Sequence, residues 1–213
     1  MKIGVFDSGI GGKAIAETLA QDFPDAEILY VHDADHVPYG GRQKDEIISL
    51  TETALQPLLQ NTCDVIVLAC NTATAAAIDY LRETYPQQHF IGLEPMIKPA
   101  ATLTKTGIIA VCATPYTLSS ERYLRLKKDY ASAITVLEPD CGEWATMIEH
   151  SAVDNATIER TITDVLSKNA DVIVLACTHY HWIKDEIIEM TAGKATVIDP
   201  SEAISRRVAE LLR

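Results

Sequence analysis

Val65-Ile66-Val67-Leu68-Ala69-Cys70 returns letter for letter as Val172-Ile173-Val174-Leu175-Ala176-Cys177, an offset of 107 residues in a chain of 213. Asp64 precedes the first copy and Asp171 the second. Asn71-Thr72 follows one cysteine, and Thr178-His179 follows the other. Short, continuous, β-branched apolar runs mark strands buried on both faces, as in parallel sheets. The likeness extends outward. Ile3-Gly4-Val5-Phe6-Asp7 opens the first half, and Gly107-Ile108-Ile109-Ala110-Val111-Cys112 opens the second. Two equivalent strands, each ending in a cysteine, bring two thiols from two related halves.

Around these runs the chain alternates. Strands are expected over 2–6, 27–31, 65–69, 89–93, 107–112, 134–137, 172–176 and 195–198. Amphipathic helices are expected over 13–21, 44–60, 73–83, 118–128, 156–167 and 183–190. Strand–helix alternation of this kind gives parallel sheets covered by helices. The expected fold is therefore α/β, with two similar parallel-sheet domains related by a pseudo-two-fold duplication. The first domain would comprise residues 1–95 plus 201–213, and the second 96–200. Gly92 to Pro99 would form the crossover, and a last helix over 201–212 would pack back on the first half.

Composition narrows the function. At 47% hydrophobic and 23% charged, the chain can bury an ordinary globular core. A net charge of −12 argues against a nucleic-acid partner, which calls for basic stripes. Met1-Lys2-Ile3-Gly4-Val5-Phe6-Asp7 reads as a strand, too short and too soon acidic for a signal peptide. No apolar run approaches the roughly 18 residues of a membrane span. A cytoplasmic protein that contacts no membrane is expected. Its five cysteines, at 63, 70, 112, 141 and 177, are then expected reduced.

In parallel α/β sheets, ligands gather at the carboxyl ends of the strands. Four polar clusters fall at such ends. Asp7-Ser8-Gly9-Ile10-Gly11-Gly12 lets backbone approach a ligand and opens a helix, but its spacing is not the Gly-x-Gly-x-x-Gly of a dinucleotide loop. An aspartate beside anion-binding amides suits a zwitterion, with the ammonium near Asp7 or Ser8. The second and third clusters are Cys70-Asn71-Thr72 and Cys177-Thr178-His179. Either cysteine alone would read equally well as a small buried hydrophobe, whereas the doubled context points to chemistry. The fourth, Pro38-Tyr39-Gly40-Gly41, is a turn and a weak signal by itself. Metal ligation remains open through Cys177-x-His179-x-His181 and His32-x₃-His36, without any Cys-x₂-Cys or His-Glu-x-x-His. A Cys–His nucleophile would leave the second thiol unexplained.

Two thiols flanking one carbon suit proton exchange at a stereocentre. One thiolate removes a proton from one face while the opposing thiol protonates the other, which inverts the centre without metal or cofactor. A free thiol titrates near about 8.5, so neighbouring groups must tune it. Asp7 beside Cys70 and His179 beside Cys177 are the candidates. Asn71, Thr72, Thr114, Thr178 and the glycine-loop amides are candidate donors for the developing carbanion.

Taken together, GVFDSGIGG (4–12), VPYG (37–40), LACNTATA (68–75), GLEP (92–95), ATPYT (113–117) and LACTHY (175–180) resemble the glutamate racemases of the aspartate/glutamate racemase superfamily. The resemblance implies an active site between two α/β domains, interconverting L- and D-glutamate with no cofactor to supply D-glutamate for peptidoglycan. It implies Cys70 and Cys177 as the acid/base thiols, the first on the D-enantiomer and the second on the L-enantiomer. It implies substrate contacts from Asp7, Ser8, Pro38, Tyr39, Gly40, Asn71, Thr72, Thr114, Thr117, Thr178 and His179. Glu149, eight residues after Cys141, is implied as a further acidic group, and a homodimer as an assembly open to the chain. His181-Trp182 and the CGEWATMIE segment (141–149) depart from the family pattern. The rivals are a racemase of aspartate or another acidic amino acid, a zinc hydrolase, and a non-catalytic amino-acid-binding or partner-binding protein.

Overall fold

The structure, a computed structural model, describes residues 1–212. Two compact units emerge, one of Met1–Glu94 together with the segment from Pro200 on, the other of Pro95–Asp199.

The first unit runs β1 (Lys2–Asp7), α1 (Gly12–Asp22), β2 (Glu27–His32), α2 (Lys44–Gln60), β3 (Val65–Leu68), α3 (Asn71–Thr84) and β4 (Phe90–Gly92). Its four strands are all parallel, in the order β2-β1-β3-β4. The second unit runs α4 (Ile97–Leu103), β5 (Ile108–Cys112), α5 (Pro115–Ser119), α6 (Glu121–Tyr130), β6 (Thr135–Leu137), α7 (Trp144–Glu149), α8 (Asn155–Ser167) and β7 (Val172–Leu175). A 3-10 turn (Thr178–Ile183), α9 (Lys184–Thr191) and β8 (Thr196–Ile198) complete it. Its strands are again parallel, in the equivalent order β6-β5-β7-β8. The repeated Val-Ile-Val-Leu is the third strand of each unit and is fully buried in both. A final helix, α10 (Ser201–Leu211), belongs to the first unit. Its Ile204 and Val208 join the core of Ile3, Val5, Leu19, Val67 and Ile91. Burying a Val or Ile side chain is worth about 1.5–3 kcal/mol, enough for two such residues to hold α10 in place.

The two aspartates before the repeat have matching jobs. Asp64 Oδ2 accepts the Lys2 N–H at 2.7 Å, just at the start of β1. Asp171 Oδ2 accepts the N–H groups of Lys105 and Thr106 at 2.7 and 3.0 Å, just ahead of β5. Each carboxylate therefore ties the loop before one strand to the strand beside it.

Three local differences from the expected elements have clear causes. The strands stop at Leu68 and Leu175, so each cysteine lies two residues beyond its strand. The last rungs are Ala69 N–H to Phe6 O at 2.7 Å and Ala176 N–H to Cys112 O at 2.8 Å. The helix expected over 118–128 is two helices, because the Ser120 hydroxyl accepts the Tyr123 N–H and starts α6 afresh. Part of the expected crossover is helical. Pro99 sits in the first turn of α4, where a missing N–H costs no helical bond.

Candidate active site

The first thiol centre forms where β1 and β3 end. Asp7, the last residue of β1, is fully buried, and its Oδ1 accepts the Gly9 N–H at 2.8 Å, which shapes the loop that follows. Gly12 starts α1 against this residue. A Cβ there would lie 2.4 Å from Asp7 Cβ, so only glycine permits the approach. Cys70 is the N-cap of α3, and its Sγ accepts the Ala73 N–H at 3.3 Å. The dipole of a 14-residue helix that begins at Asn71 favours negative charge at that sulfur. Ser8 Oγ stands 3.2 Å from Cys70 Sγ. Asn71 and Thr72 occupy the first turn of α3, both buried. Neither amide atom of Asn71 has a partner among the described residues, an arrangement that a polar ligand would satisfy. Tyr39 is buried, and its hydroxyl donates to Asp33 Oδ2 at 2.7 Å, while Pro38 is exposed and Gly40 half-buried. Burial first, then the hydrogen bond to Asp33 and the charges of Asp33 and Cys70, push the Tyr39 phenol far above its ordinary range, so it stays protonated.

The second centre forms where β5 and β7 end. Cys177 precedes the 3-10 turn and receives no side-chain cap from it. Its Sγ lies 3.9 Å from His179 Nδ1, and His179 Nε2 lies 2.6 Å from Glu149 Oε2 at the end of α7. Sulfur, imidazole and carboxylate thus form one line, with the His179 and Glu149 side chains only 4% and 11% exposed. Two contacts fix α7 to the turn. The Tyr180 hydroxyl donates to Cys141 O at 2.7 Å, and the Trp144 and Tyr180 rings meet edge-on at 5.2 Å. Thr114 caps α5 by accepting the Thr117 N–H at 3.3 Å, and its hydroxyl donates to Thr117 Oγ1 at 3.0 Å. Thr178 is buried beside the thiol. Cys141 is an inert thiol by contrast, since a hydrogen bond to Cys112 and burial both push it far up.

Sequence-derived candidates therefore fall into two groups. Asp7, Ser8, Tyr39, Asn71 and Thr72 accompany Cys70, while Glu149 and His179 align on Cys177 with Thr114, Thr117 and Thr178 in the same unit. Sequence reasoning passed over Asp33, Trp144 and Tyr180. Only Asp33 carried a signal, as an acidic residue at the carboxyl end of a strand. Among the described residues no group of three or more His, Cys, Asp and Glu is placed to hold a metal. His36 is instead turned to Asp33, and His181 lies 3.9 Å from Asp199. Among the described residues no helix is long and apolar enough to cross a membrane.

The family model described as Asp/Glu/Hydantoin racemase matches residues 13–208. The chain is 38% identical to the glutamate racemase of Herpetosiphon aurantiacus, over 99% of this chain and 84% of that protein. It is 37% identical to a Pseudomonas aeruginosa glutamate racemase, over 99% and 81%. Among solved structures, Escherichia coli glutamate racemase in complex with L-glutamate and the activator UDP-MurNAc-ala matches with a TM-score of 0.91 and 28% identity, over 99% of this chain and 82% of that one. The Francisella tularensis enzyme in complex with D-glutamate matches with a TM-score of 0.81 and 32% identity, over 99% and 80%.

Proposed function

The chain belongs to the Asp/Glu/Hydantoin racemase family, and from that membership and its two thiol centres we propose that it interconverts L- and D-glutamate. One observation carries the reading: the same buried strand occurs twice and delivers a cysteine each time, each beside its own charge-managing groups.

In the L-to-D direction, Cys177 as thiolate takes the α-proton. The electron pair left on Cα delocalises into the carboxylate, and the Cys70 thiol protonates the opposite face. The reverse direction exchanges the roles. The proposal thus requires the two sulfurs to address opposite faces of Cα. His179 can hold or release the Cys177 proton, and Glu149 fixes the ring and balances its charge when it is protonated. The α3 N-terminus and the Ser8 hydroxyl do the corresponding work for Cys70. Asp7, Asn71, Thr72, Thr114, Thr117, Thr178 and the Tyr39–Gly40 turn supply the contacts that orient the zwitterion and stabilise the carbanion. No cofactor enters this scheme. The D-glutamate formed would serve peptidoglycan synthesis.

The test is circular dichroism of L-glutamate solutions, with D-amino-acid oxidase coupling as a second readout. Racemisation by the wild type and its loss in Cys70→Ala and Cys177→Ala are expected. An inactive wild type, or full activity in Cys70→Ala, overturns the reading. Parallel kinetics with aspartate decide between the two acidic substrates that the family's name covers.

A further inference from the structure

Asp33 follows β2 and is the acceptor shared by the Tyr39 hydroxyl and His36. Its backbone N–H donates to the carbonyl of Asp7 at 3.3 Å, so its main chain is tied to the end of β1. Its carboxylate, 12% exposed, takes two donors at once. The Tyr39 hydroxyl reaches Oδ2 at 2.7 Å, and His36 Nδ1 lies 2.8 and 3.0 Å from Oδ1 and Oδ2. The circuit closes at Arg42. Its N–H donates to the Tyr39 carbonyl at 3.0 Å, and its Nε and Nη2 donate to the His36 carbonyl at 3.0 and 2.7 Å. Residues 33–42 are therefore pinned at both ends of the Tyr39–Gly40 turn. That turn leaves the N–H groups of Tyr39 and Gly40 without an acceptor among the described residues. Two such amides on a fixed turn are a carboxylate-sized anion contact.

We propose that Asp33 is a positioning residue for the Cys70 centre: by holding the Tyr39 hydroxyl it fixes the turn whose two amides take a carboxylate of the substrate. The inference rests on the racemase reading and adds a residue to it. A carboxylate is needed here because two donors converge on it. An asparagine would keep one acceptor oxygen and turn an NH₂ towards the other donor, opposing two donors across a half-buried contact. Tyr39 has a single hydroxyl hydrogen, and it is spent on Asp33. The ring contributes to the site through where it holds the backbone.

The experiment is steady-state racemisation of glutamate by wild type, Asp33→Asn, Tyr39→Phe and the double variant, with calorimetric glutamate binding alongside. Each single variant should raise KM and the calorimetric Kd about tenfold, the worth of one charge-assisted hydrogen bond, with kcat within about threefold. The double variant should be no worse than the poorer single one, because both break the same bond. A merely structural loss would lower the folded fraction and so the apparent kcat, leaving KM where it was. Should Asp33→Asn fail to fold, Tyr39→Phe removes the bond and keeps the carboxylate. An unchanged KM, a loss confined to kcat, or losses that multiply in the double variant each overturn the proposal. A wild type that neither binds nor turns over glutamate overturns the racemase reading and this inference with it. An active wild type beside Asp33→Asn and Tyr39→Phe of unchanged KM overturns this inference alone.

Discussion

Replacing Glu149 by Gln keeps the size of the group that meets His179 and removes its charge. The 2.6 Å contact between Nε2 and Oε2 lies in a setting where the two side chains are 4% and 11% exposed, so solvent screens it little. A hydrogen bond to a charged partner contributes about 1.5–3 kcal/mol and a neutral one about 0.5–1.5, which leaves a loss of about 1–2 kcal/mol whenever His179 is protonated. At about 1.4 kcal/mol per factor of ten, kcat/KM should fall about 5- to 30-fold. L- and D-glutamate have equal free energies in water, so the fall must be the same in both directions. The asymmetry shows elsewhere. With the Cys177 side impaired, a carbanion formed from D-glutamate by Cys70 returns to D-glutamate more often than it crosses over. In heavy water, deuterium should then enter recovered D-glutamate ahead of inversion, and do so less for L-glutamate. Coupled oxidase kinetics from both enantiomers, with mass spectrometry of the recovered α-hydrogen, read both quantities. Wild-type kcat/KM in Glu149→Gln would refute the relay. Equal exchange from the two enantiomers would refute its assignment to the Cys177 side.

Other outcomes follow from single contacts. Cys70→Ser and Cys177→Ser should each abolish racemisation while retaining α-hydrogen exchange with opposite enantiomers; exchange lost for both enantiomers in either variant would contradict two separate bases. Iodoacetamide at neutral pH, followed by peptide mass mapping, should leave Cys141 and Cys63 unmodified, since Cys112 and burial hold up the first thiol and burial holds up the second. Labelling of Cys141 as fast as Cys177 would count against that packing. Burial pushes the Asp171 carboxyl up, but the hydrogen bonds from Thr104, Lys105 and Thr106 outweigh it and hold the group below its ordinary value. Its stabilisation is then fully present above about pH 3.9 and is lost as pH falls through the lower folded-state value. Asp171→Asn should cost about 0.5–2 kcal/mol at neutral pH, with the gap in melting temperature to wild type closing in acid. Gly12→Ala, whose Cβ would meet Asp7 Cβ at 2.4 Å, should destabilise by about 1–3 kcal/mol and abolish turnover; a stable, active variant would show that Asp7 is free to move.

The strands were readable because parallel strands covered on both faces must be apolar throughout. The four-residue β3 and β7 announce themselves in any context. The helices at 97–103 and 144–149 were not readable. The first has Pro99 in its opening turn, and the second is too short to show a period, yet it carries Glu149. The thiols were legible through repetition, whereas their surroundings depend on chain-distant contacts. No spacing in the sequence states that Glu149 meets His179 thirty residues on, or that Tyr39 leans on Asp33.

The repeat also shows where duplication stopped being useful. Both copies keep the aspartate, the buried strand and the cysteine, because each unit needs the same loop tie, core and thiol position. They diverge at the next residue. Asn71-Thr72 continues into a 14-residue helix that offers Cys70 its N-terminus, while Thr178-His179 enters a 3-10 turn too short to offer a comparable field. As a base in the proposed scheme, Cys177 therefore needs a titratable neighbour, and His179 backed by Glu149 would supply one. Thermodynamics demands equal kcat/KM for the two enantiomers and leaves the two thiols free to reach it differently. In the proposed scheme the two faces of Cα meet different neighbours, so equal environments around Cys70 and Cys177 would give no advantage. Transferring the histidine, as Thr72→His with His179→Thr, should consequently fail to restore turnover, because Cys70 already has its helix and Cys177 would have neither. Turnover in that double variant above the His179→Thr level would show that the imidazole serves the site as a whole, and would dissolve the division of labour drawn here.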